Sequence, residues 1–538
     1  EKVALTITAI TADVVDIYEE KIVGDQYEFE GELHPLDIRE EIIKVKKKDD
    51  IVLQVKTTRH GPILQKGADV LSSVAGFGTA IMPNGNYSIQ WGGLKVGKQD
   101  PFGSIFKISK AQSVQEILKI VKDSEGINLN MVFCDNLGEH GNIGYAPFGA
   151  YPKRTSDAGH RISRGWVAEN EWEGFIPGDE KPYLLNPSKG YIVMANNPIT
   201  DMNTKTQISN FMPGTARAKR ITELLKELIV TKSGKIAYED MINILKDTKD
   251  IYAEQKKPSM VKIVKEWMKE QNKQEDQIDE ILTLIDNWNS VYDEDMREPV
   301  YFTLWEFFFR NNFLADAFKD NKPFKMRMLS SAYFDPNFII LYKNVADDHD
   351  HYSKYCNQYT YFSTANCAEV MYWSLNQTIR YVNRYYENST VTWGDLHTMT
   401  YPNIPFTRTY LKSIYDRETR ASGSFNTVNV AAFKFNKFQG KNGENPYTLF
   451  LDPIREFPGI HSANLKIISL MNGTVYYSLD TGVSESLISG YYFNMNKRHL
   501  ENDLYKIEFP LSESISKDGP DATFILMDRE EKSANSDL

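Results

Sequence analysis

The sequence predicts an α+β protein, and three observations carry that reading. Runs of β-branched residues with period-two alternation open the chain, a block of helical spacing fills its middle, and strands return towards its end. Strands and helices do not alternate strictly, as they would around a parallel sheet. No repeat and no low-complexity linker divides the 538 residues. They therefore read as one large unit, 1–538, with a helical segment over 215–330 inside it.

The elements follow in order. Residues 1–65 read as β, with strands over 3–10, 38–45 and 51–58, and His60-Gly61-Pro62 closes this block as a turn. Short strands and many glycines occupy 66–110. A helix is predicted over 111–123, where Val114, Ile117, Leu118 and Val121 share one face. Strands and loops return over 128–198. The helical middle begins at 216–229, with Ile221, Leu224, Leu225 and Leu228 at i, i+3, i+4 and i+7, and continues over 259–271, 275–288 and 299–318. Residues 320–400 are mixed and tyrosine-rich, 420–510 are strands again, and the polar tail from Lys532 is expected to fray.

Composition narrows the function. The net charge of −11 argues against a nucleic-acid binder, which needs a basic footprint, and against an anionic membrane surface as the main partner. No apolar run reaches the roughly 18 residues of a membrane span. Of three cysteines, Cys356 and Cys367 could pair across a short loop or stay free, and Cys134 stands apart. Glu1 opens directly into a strand, so no signal peptide is visible.

Generic motifs say little. Asp347-Asp348-His349-Asp350-His351 has metal-binding residue types, but neighbours on an extended chain point to opposite sides, and a solvated acidic loop is the preferred reading. The run from Lys44 to Lys48 reads as a solvated turn between strands. His60, in a tight turn, reads as structural rather than as a catalytic base. There is no GxSxG, Walker A, HExxH or GxGxxG pattern.

Longer patterns are more specific. Asn142-Ile143-Gly144-Tyr145, Gly149-Ala150-Tyr151-Pro152-Lys153-Arg154, Trp172-Glu173-Gly174-Phe175-Ile176-Pro177, Asn186-Pro187 and Gly190-Tyr191-Ile192-Val193-Met194-Ala195-Asn196-Asn197 occur in that order. Arg217-Ala218-Lys219-Arg220 follows. Asp13-Val14-Val15-Asp16-Ile17-Tyr18 and Arg59-His60-Gly61-Pro62 precede them, and Trp393-Gly394-Asp395-Leu396-His397 and Asn426-Thr427-Val428-Asn429-Val430 come later. Together, from about residue 3 to 495, they resemble the β subunit of the penicillin acylase family of N-terminal-nucleophile hydrolases.

The resemblance implies a four-layer αββα sandwich of two antiparallel sheets. It implies a precursor that cleaves itself into this subunit and an α subunit, and, by analogy, export. It implies hydrolysis of a small linear amide, such as a β-lactam side chain or an N-acyl homoserine lactone. The nucleophile would be a Ser, Thr or Cys at the mature N-terminus, with its own α-amine as base. An α-amine pKa near 8 suits that task. Matching Asp13–Tyr18 to the family places that residue upstream of Glu1. Within the chain, the resemblance assigns the oxyanion donors to the Ala9 backbone and the Asn196 side chain, and assigns Arg217 to orienting the asparagine. It assigns a structural calcium to Asp13, the Val15 carbonyl and Asp16, with His160 where the family gives a carbonyl and Thr206 near the place of a later Asp ligand, a departure that leaves the shell incomplete. The alternative is an inactive homologue that serves as a binding or assembly protein.

Overall fold

Eight strands build two four-stranded sheets that frame the N-terminal part. The computed structural model describes residues 3–64, 85–95, 101–154, 159, 161–197, 208, 214–313, 335–348, 356, 366–386, 390–403, 405–407, 409–433, 457–462, 465–470 and 473–508. In the first sheet Val3–Ala9 is the edge strand, followed by Leu129–Asp135, Asn142–Phe148 and Leu184–Leu185, all antiparallel. The second runs Ser163–Arg164, Val15–Glu20, Asn86–Trp91, Ile63–Leu64, and its Ser163–Arg164 strand alone is parallel to its neighbour.

The helix Val114–Lys122 packs on the first sheet. Ser113 caps it by accepting from the Glu116 N–H, and Val114, Ile117, Leu118 and Val121 are buried against Met131, Phe133, Ala146 and Phe148. This is the predicted face, set by the 3.6-residue period. Asp37–Ile43 and Ile51–Thr57 pair as an exposed hairpin, and the lysine run forms its solvent-facing turn as expected.

The helical part is larger than its sequence suggests. Ala216–Thr231, Asp276–Asn287 and Glu298–Phe313 lie where expected. The helix expected from 259 begins two turns earlier, as Ile251–Glu270, with Asp250 as its N-cap and Pro258 inside it. Two more helices, Asp335–Asp347 and Cys367–Tyr385, lie beyond residue 330. They pack on Ile251–Glu270 and Glu298–Phe313 around Trp288, Phe302, Trp305, Phe307 and Trp393. Each such side chain contributes about 1.5–3 kcal/mol when fully buried. A disulfide joins Cys356 to Cys367, while Cys134 is a free thiol on an inner strand. Among the described residues, no helix is long and apolar enough to cross a membrane.

Candidate active site

The edge strand Val3–Ala9 presents its last two residues to a loop nearly two hundred residues away. Asn196 donates through Nδ2 to the Ala9 carbonyl and to Thr8 Oγ1, both at 2.7 Å. Arg217 donates from Nη2 to Asn196 Oδ1 at 2.9 Å. The structure thus brings Ala9, Asn196 and Arg217 into one chain of hydrogen bonds.

Each member is held by local chemistry. Asn196 sits at φ 59°, the left-handed region that asparagine tolerates better than most residues. Its neighbour Asn197 accepts the Ala195 N–H at 2.9 Å, which tightens the turn. The Ala9 carbonyl takes a second donor, Asn130 Nδ2 at 3.2 Å, and Tyr145 fixes the orientation of that carboxamide by donating to its Oδ1 at 2.9 Å. Thr8 and Asn130 have no site role in the sequence reading, and Tyr145 stands there only within the Asn142–Tyr145 motif. Their one signal is that Thr8 and Asn130 face each other across paired strands. Arg217 is the second residue of its helix, where the helix dipole disfavours a cation. Its place there is understood through what it holds rather than through helix stability.

The arrangement offers a carboxamide donor whose orientation is set by a guanidinium. An oxyanion approaching it competes with the neutral Thr8 hydroxyl, and charge-assisted bonds are roughly twice as strong as neutral ones.

Asp13 and Asp16 converge as expected, but on an arginine. Arg154 grips Asp16 with Nε and Nη2, both at 2.9 Å, and donates to the Asp13 carbonyl at 3.1 Å. Trp172 Nε1 adds a bond to Asp16 Oδ2 at 2.6 Å. Burial alone would lower the Arg154 pKa, but the two carboxylates hold it above its ordinary value. Val15 opens the adjoining strand, and His160 and Thr206 lie outside the described residues. Both Asp16 oxygens are already filled, and among the described residues no group of three His, Cys, Asp or Glu side chains is arranged to hold a metal ion. The residues as described do not fit a calcium shell, and no step is drawn through that ion. Of the acidic run at 347–351, Asp347 ends a helix, and His349, Asp350 and His351 lie outside the described residues.

His60 is structural. Its buried ring bonds Glu20 through Nδ1 and Glu171 through Nε2, both at 2.8 Å, and stacks on Tyr18 at 3.6 Å. Burial alone would raise both carboxyls; bonds from His60, with Ser88 and Thr58 on Glu20 and Arg59 on Glu171, hold them below their ordinary range.

The family model for penicillin amidase matches residues 1–514. The chain belongs to the penicillin amidase family. Its relatives include the acyl-homoserine lactone acylase QuiP of Pseudomonas fluorescens strain Pf-5, 28% identical over 256 residues, which are 47% of this chain and 29% of that protein. Penicillin G acylase of Escherichia coli is 28% identical over 225 residues, 41% of this chain and 24% of that one. The chain thus matches less than a third of the length of either relative. Among solved structures, the thermostable penicillin G acylase from Alcaligenes faecalis superposes with a TM-score of 0.67 at 16% identity, covering 98% of this chain and 89% of that one.

Proposed function

We propose that this chain is the larger part of an acylase that hydrolyses a linear carboxamide to a carboxylic acid and an amine. The observation that carries the reading is the Arg217–Asn196–Ala9 relay. Attack on an amide carbonyl makes a tetrahedral oxyanion, and preorganised donors at that point supply a large share of catalysis. Asn196 Nδ2 and the Ala9 backbone are assigned to it, and Arg217 orients the asparagine. The nucleophile is proposed to be the first residue of the mature subunit, upstream of Glu1, activated by its own α-amine.

The two chains are proposed to come from one precursor; one relative is named a penicillin acylase 2 proenzyme. The sheets are proposed to stack as an αββα sandwich, and the enzyme to act outside the cytoplasm. Acyl-homoserine lactones and penicillins are the substrate classes to try first, since the relatives' names point to both.

The test is a hydrolysis assay on the protein matured from its full-length precursor, with N-acyl homoserine lactones and phenylacetyl amides, beside Asn196→Ala. Hydrolysis that falls about 100- to 1000-fold in the variant supports the reading. A folded, mature protein that binds these amides without cleaving them supports a non-catalytic homologue instead.

A further inference from the structure

We infer that Asp250, a buried residue with no direct contact to the relay, is the positioning residue that sets Arg217 against Asn196. This rests on the acylase reading for its effect on catalysis, but not for its structural content.

The two carboxylate oxygens of Asp250 do different work. Oδ1 caps the helix Ile251–Glu270, accepting the Tyr252 N–H at 2.8 Å and the Ala253 N–H at 3.1 Å. That fixes Tyr252, whose hydroxyl accepts the Thr215 N–H at 2.8 Å. Thr215 is the N-cap of the helix that carries Arg217 two residues later. Gly214 lets the ring come this close, because a Cβ there would lie 2.9 Å from the Tyr252 ring. The first arm therefore places the start of the arginine's helix.

Oδ2 holds a separate segment. It accepts from Ser424 Oγ at 3.2 Å and from Asn426 Nδ2 at 3.3 Å, and Asn426 Nδ2 also donates to Asp335 Oδ2 at 2.6 Å. The residue between them, Phe425, turns its ring towards Arg217, with the guanidinium carbon 6.0 Å from the ring centroid. The second arm therefore places the aromatic wall beside the guanidinium.

A helix cap alone explains Oδ1 and leaves Oδ2 unexplained. Four donors converge on this side chain, and a carboxylate can accept all four, whereas an asparagine has one oxygen. Both arms end at Arg217, so the residue ties two distant segments to one side chain.

The test is Asp250→Asn, made in the mature enzyme. Asparagine is a good N-cap, so the helix arm survives and the fold is retained; its NH2 group meets donors where Oδ2 was. The expected result is a kcat lower by on the order of 10- to 100-fold with KM within about twofold, since a small misplacement of a positioned group costs that much in the transition state. A crystal structure of the variant should show Phe425 displaced and the Arg217–Asn196 bond lost. Lys181→Met, far along the chain in an unrelated buried site, serves as the control for lost stability and should leave kcat unchanged well below its Tm. An Asp250→Asn enzyme with the Arg217–Asn196 bond intact and normal kcat overturns the inference. If the parent protein cleaves no amide, the acylase reading falls, and the two crystal structures alone still decide whether Asp250 sets Arg217.

Discussion

Arg217 Nη2 lies 2.9 Å from Asn196 Oδ1, and this one bond decides which end of the carboxamide faces Ala9. A carboxamide can rotate by half a turn at little steric cost, presenting oxygen where nitrogen stood. With a guanidinium on the oxygen, the nitrogen is committed to the strand, where the proposed acylase calls for an oxyanion donor.

Arg217→Met should therefore cost catalysis by disordering a donor rather than removing it. A kcat lower by about 10- to 100-fold is expected, less than the loss for Asn196→Ala. Arg217→Lys should recover little, because an ammonium on a flexible stem lacks the planar fork. Steady-state kinetics on a chromogenic amide, with Tm measured beside it, checks both.

The Glu20–His60–Glu171 cluster should govern acid stability. Both carboxyls titrate below their ordinary values in the folded protein. Their stabilisation is thus present above the unfolded carboxyl pKa of about 4.3 and lost as pH falls through the lower folded values. His60→Phe keeps a ring on Tyr18 but takes the shared partner from both carboxylates, leaving Glu20 to Thr58 and Ser88 and Glu171 to Arg59, and should cost on the order of 1–3 kcal/mol at neutral pH. Thermal melts from pH 3 to 7 should show the variant's acid dependence flattened relative to the parent.

Lys181 gives a slope of the same sign in a more alkaline window. Its buried Nζ donates to the carbonyls of Lys122, Ser124 and Gly149 at 2.7, 3.1 and 2.8 Å. Burial lowers its pKa to about 8. Between that value and the unfolded value of about 10.4, the unfolded chain binds more protons, so stability rises with pH across the window, by at most about 3 kcal/mol. Lys181→Met leaves three carbonyls without their donor and should destabilise by roughly 3 kcal/mol at pH 7. Urea titrations at pH 7 and 9.5 should show the parent gaining more than the variant.

Regular elements were legible where period and caps agreed. The helix behind Ser113 and the strand from Val3 match their expected positions. The helix from Ile251 begins eight residues ahead of its expected start and carries Pro258, a residue disfavoured inside a helix, behind a sound cap at Asp250. Cys367–Tyr385 hid in a tyrosine-rich stretch despite Asn366 and Glu369 at capping spacing. Asn196 and Arg217 were legible only through ordered family motifs, since each alone is an ordinary turn or surface residue. The partners of Asp16, Asp250 and His60 were not legible. Arg154, Asn426 and Glu171 sit more than 100 residues away from them, and local patterns carry no information at that range.

The bond between Asn196 and Ala9 spans 187 residues, and that span sets a schedule. Helices close locally and early, whereas distant pairings must first meet the entropy of a long loop. The constellation at Ala9 is complete only once the chain's opening strand has met a turn made much later. During refolding, helical signal is expected to return before this constellation closes, so the proposed acylase activity would recover later than the first collapse.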